Sequence, residues 1–78
     1  MKNNKNIGAT LEELLNVMDA RANVNIFKDL GNNKDELLRS NKIYNLIADP
    51  EFIGNYGSYD VIGLCVILGI TSILIEEA

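Results

Sequence analysis

Between residues 11 and 18 the apolar side chains fall at Leu11, Leu14, Leu15 and Met18, a spacing that gathers them on one face of an α-helix. Thr10, followed three residues later by Glu13, is the signature of a capping box, so a helix is predicted to start there. Asp19 to Asn23 holds poor helix formers. Val24 and Ile26 then alternate with Asn25, the period of a half-buried strand that runs to Phe27. Gly31-Asn32-Asn33 supplies turn residues that tolerate positive φ. Asp35 to Arg39 fits either a returning strand or a short helix, and the strand is favoured because a lone hairpin arm needs a partner. Ser40 then reads as the N-cap of a second helix with Ile43, Leu46 and Ile47 on one face. Asp49-Pro50 interrupts this helix, since a residue before proline is pushed out of the α region, while Asp49 is placed to cap a further turn carrying Phe52 and Ile53. Asn55 to Ser58 reads as loop.

Val61 to Ile75 is a run of fifteen residues without a charge, bounded by Asp60 and by Glu76-Glu77. A transmembrane helix needs about 20 apolar residues and basic flanks, and this run is shorter with acidic ones. Eight of the fifteen are β-branched and two are glycine, which disfavours a buried helix. A hairpin fits best, with strands Tyr59 to Ile67 and Ile70 to Glu76 around a turn at Leu68-Gly69. Strict alternation sends Ile62, Leu64 and Val66 to one face and Val61, Gly63, Cys65 and Ile67 to the other. Both faces are apolar. One covers the helices, and the other calls for a long loop, a second copy or another partner, so Val61, Cys65 and Ile67 are candidate self-association residues of a homodimer.

The expected fold is α+β: a four-stranded antiparallel sheet made of two hairpins, with two helices on one face, in the order α-β-β-α-β-β. Residues 1–9 are Asn-rich and aperiodic and read as a flexible leader to a single domain over 10–78. With 78 residues there is room for one core. No His is present, which excludes histidine-dependent catalysis, and no Walker loop, CxxC or nucleophile elbow occurs, so no enzyme, metal site or cofactor is expected. Cys65, among apolar neighbours, reads as a buried small hydrophobe in a reducing compartment. No signal segment is apparent, so a cytoplasmic location is expected, with no membrane association. The net charge is −4, and from Thr10 onward five basic residues face eleven acidic ones. Such a surface repels a phosphate backbone and suits a basic protein partner instead, so no direct nucleic-acid binding is expected.

TLEELLNVMD, VNIF with its following Gly-Asn turn, KIYNLIADPE, YDVIGLCVI and ILIEE together resemble small α/β proteins of Firmicutes phages and prophages. That class includes anti-CRISPR and other counter-defence inhibitors. Its closing hairpins usually carry charges near the turn, where this chain has Ile67-Leu68-Gly69-Ile70. The resemblance implies a non-enzymatic inhibitor in the host cytoplasm that binds a defence protein or ribonucleoprotein complex. In that role Asp29, Asp35, Glu36, Asp49 and Glu51 would steer encounter, and Tyr56 and Tyr59 would anchor it. Two other readings stay open: an oligomer that sequesters a nucleotide signal with Arg21, Lys28, Arg39 and Lys42, and a structural or assembly protein of a phage.

Overall fold

The first helix begins where the capping box places it. In a computed structural model, which describes residues 8–77, α1 spans Leu11–Val17. The Glu13 amide donates to Thr10 Oγ1 at 3.3 Å, and the Thr10 amide donates to Glu13 Oε1 at 2.8 Å. Two helix-end donors are satisfied reciprocally. Thr10→Ala removes one of these bonds and is expected to lower stability by about 1 kcal/mol. A melting curve would register this as a fall of roughly 4–8 °C.

Two hairpins follow. β1, Asn23–Gly31, turns through Asn32-Asn33 into β2, Lys34–Lys42. β3, Asp60–Ile67, turns through Leu68-Gly69 into β4, Ile70–Glu76. Both turns hold two residues at positive φ, the geometry that matches the twist of the flanking strands. Asp35 to Arg39 is therefore strand. β2 also passes through Ser40, whose hydroxyl donates to Asn25 Oδ1 across the hairpin at 2.7 Å, so Ser40 does not cap the next helix. That helix, α2, spans Ile43–Ile47 and has no side-chain cap.

The sheet corrects one expectation. Its strand order is β2-β1-β4-β3, and the central pair β1 and β4 runs parallel, so the sheet is mixed rather than antiparallel. Each hairpin is antiparallel inside itself. α2 and α3 carry the chain back over the sheet before β3 begins, which aligns β4 with β1. There are also three helices rather than two among the described residues. Proline has no N–H to continue α2, and Asp49 instead caps a new helix, α3 over Pro50–Tyr56, by accepting the Phe52 amide at 3.1 Å.

The core joins residues of all three helices to one face of the sheet. Leu11, Leu15, Ile43, Leu46 and Phe52 meet Val24, Ile26, Val61, Ile73 and Ile75 in one buried cluster. The leader expected over 1–9 lies outside the described residues up to Ile7. Ala9 is described, and its carbonyl accepts the Val61 amide at 3.0 Å.

Candidate surface for protein association

A bulge decides which side chains of β3 share a face. Val61 pairs with Ile75 and Gly63 with Leu74, so Ile62 is an extra residue that shifts the alternation by one. Val61 thereby joins the helix-facing side with Leu64 and Val66, and it is fully buried in the core. Cys65 and Ile67 point to the opposite, open face, together with Gly63. Of the three self-association candidates, Cys65 and Ile67 are at the surface and Val61 is core.

Cys65 is exposed, contrary to its reading as a buried hydrophobe. It stands on the open face, which no described element covers; on the other face, helices of five to seven residues reach about 8–10 Å, whereas β3 runs about 26 Å. The half of the last hairpin nearest its turn is left bare on both sides. Leu64 is 47% exposed, Val66 67%, Ile67 61%, and Leu68, at φ 53°, 95%.

The open face of the sheet carries a second apolar feature. Register aligns Leu37, Phe27, Leu74 and Gly63 in a row across all four strands. A second bulge, at Leu38, places Leu37 opposite Phe27. Gly63 leaves the Leu74 side chain uncovered and opens a shallow hollow of about 360 Å³, lined also by Phe27, Cys65 and Ser72. Asp35 stands at its rim and pairs with Asp29 across the hairpin. Phe27, Leu37 and Leu74 were not among the sequence candidates. Their signal was the period-2 alternation on the face opposite Val24 and Ile26.

The acidic candidates divide between the two sides of the sheet. Asp29 and Asp35 lie together on the open side, while Glu36 faces Lys28 on the helix side. Asp49 caps α3, and Glu51 is exposed in the first turn of that helix. Tyr56 and Tyr59 are half-buried in an aromatic ladder, with Phe52 to Tyr56 at 5.5 Å and Tyr56 to Tyr59 at 5.2 Å between centroids. Lys28 lies over Tyr59 and Arg39 over Phe52, at 5.7 and 5.3 Å. Arg21 pairs with Asp19 at 3.6 Å, and Lys42 reaches Asn23 Oδ1 at 3.4 Å.

Among the described residues no cluster of three or more His, Cys, Asp or Glu side chains has metal-binding geometry, and no helix is long and apolar enough to cross a membrane. No protein-family model, curated protein or solved structure matches the chain.

Proposed function

We propose that the protein works by binding another protein, as a phage-type inhibitor of a bacterial defence complex in the host cytoplasm, with the open face of its sheet as the contact. The observation that carries this reading is the apolar row of exposed Leu37 and half-buried Phe27 and Leu74 on the open face, with Asp29 and Asp35 beside it. Like charges directly opposite across a hairpin cost stability, so a cationic partner group that neutralises this pair would gain on binding what the free fold loses. The fitting partner presents an aliphatic or aromatic side chain for the hollow and a Lys or Arg for the carboxylates.

The test uses Leu37→Lys combined with Asp35→Lys, two exposed positions where substitution changes stability by no more than about 0.5 kcal/mol each. Expressed in a CRISPR-immune Firmicutes host, the native chain is expected to raise phage plating efficiency, and the double variant to lose that effect while melting normally. A double variant that protects phage as well as the native chain removes the open face from the function. No protection by the native chain in hosts carrying different defence systems overturns the inhibitor reading itself.

A further inference from the structure

We propose that β3 pairs edge to edge and antiparallel with β3 of a second copy of this chain, about a two-fold axis at Cys65. The inference stands apart from the functional reading above and rests on the edge of the sheet rather than its face.

The two edge strands differ in kind. β2 carries Lys34, Asp35, Glu36, Arg39 and Lys42 and a bulge at Leu38, the devices by which sheets protect a free edge. β3 carries no charge after Asp60. Its exposed apolar residues alternate between both faces, Leu64 and Val66 on one side and Cys65 and Ile67 on the other. A partner lying on one face of the sheet covers only one of these pairs. A strand alongside covers both.

Register selects the occupant. The regular stretch of β3 is bounded by the bulge at Ile62 and the turn at Leu68, so it runs from Gly63 to Ile67 and is centred on Cys65. On the outer edge of β3 Thr10 bridges Asp60 and the Ala9 carbonyl accepts the Val61 amide, and beyond them no described strand pairs with β3. The two-residue turn makes Ile67 and Ile70 a hydrogen-bonded pair, and by alternation Leu64 and Val66 direct their N–H and C=O groups to that edge. Antiparallel pairing about Cys65 sets Leu64 against the partner's Val66 on either side of the axis, which supplies about four backbone hydrogen bonds. Gly63 then faces the partner's Ile67, small against large. Leu68, a bulky side chain at a positive φ where Gly or Asn is preferred, comes beside the partner's Ile62. Charge allows the approach. Each copy carries −4, but the nearest charge on β3, Asp60, lies about 17 Å along the strand from the axis, beyond a Debye length of about 8 Å.

The experiment uses the full chain at micromolar concentration. Light scattering is expected to give twice 8.6 kDa. Opposed Cys65 residues would sit as a non-hydrogen-bonded pair with Cα atoms about 4.5 Å apart, within disulfide range, so diamide, which accepts the two electrons and two protons, is expected to link the copies rapidly. In a Cys65→Ser background, Gly63→Cys and Ile67→Cys chains are expected to cross-link when mixed and not when separate. A Cβ at Gly63 makes only ordinary contact with Leu74, at 3.5 Å, so that variant folds. Val66→Lys is expected to give monomers with an unchanged circular dichroism spectrum. Leu68→Asn suits the turn better and is expected to weaken association without lowering the monomer's melting temperature. A mass of 8.6 kDa at every concentration up to millimolar overturns the proposal. So does a dimer indifferent to Val66→Lys whose mixed cysteine chains do not cross-link, which would place the contact elsewhere.

Discussion

Phe52→Ala is expected to leave the chain largely unfolded at 37 °C. Phe52 is fully buried and is the largest side chain of the core, where it joins α3 to both hairpins. Deleting a buried phenyl ring costs about 3–5 kcal/mol, the transfer term plus the cavity left behind. A domain of 78 residues has about 4–12 kcal/mol in all. The loss also takes the ring over which Arg39 sits and the first member of the ladder to Tyr56 and Tyr59. At roughly 4–8 °C per kcal/mol, the melting temperature should fall by more than 12 °C. Phe52→Leu keeps most of the volume and should lose under half as much. A Phe52→Ala protein that melts within a few degrees of the native chain would contradict the placement of this ring at the centre of the core.

The signals legible in the sequence are the local ones. Thr10 and Glu13 place the start of α1, paired positive-φ residues place both turns, and β-branched content makes the last fifteen apolar residues a hairpin rather than a helix. What sequence periodicity could not supply is the pairing between hairpins. Nothing local to β1 and β4 says that they run side by side and parallel, because that depends on how α2 and α3 return the chain. The bulge at Ile62 was equally hidden, and a single extra residue moved Val61 from the expected contact surface into the core. Cys65 is exposed for a related reason: apolar neighbours along the chain imply burial only where another layer lies over them, and Cys65 stands on the open face, opposite the helices. The apolar row on the open face has the same origin. Phe27 and Leu74 belong to different hairpins, and only the parallel pairing of β1 and β4 makes them neighbours.

The two glycines of the α3 segment are expected to respond to the same substitution with opposite signs. Gly54 lies inside α3 and is exposed, and a Cβ there meets nothing within 4 Å. Glycine is about 0.8–1 kcal/mol worse than alanine in a helix interior, so Gly54→Ala should raise the melting temperature by several degrees. Gly57 closes the same helix and is buried. Its amide donates to the Ile53 carbonyl at 2.8 Å and its carbonyl accepts the Glu12 amide at 2.9 Å, which ties the end of α3 to the start of α1. A Cβ on Gly57 would stand 2.5 Å from the Ile53 carbonyl oxygen, 3.0 Å from Ile53 Cγ2 and 3.3 Å from Glu12 Oε1. The Glu12 side chain is free to swing away, but the carbonyl is backbone and moves only if the helix end moves with it. Gly57→Ala should therefore cost about 1–3 kcal/mol, as overpacking does, and lower the melting temperature by roughly 4–24 °C. Since φ at Gly57 is −61°, ordinary for any residue, the loss would come from crowding against Ile53 one turn earlier in α3 and not from backbone strain. A stabilising Gly57→Ala would show that the last turn of α3 has room for a Cβ beside the Ile53 carbonyl.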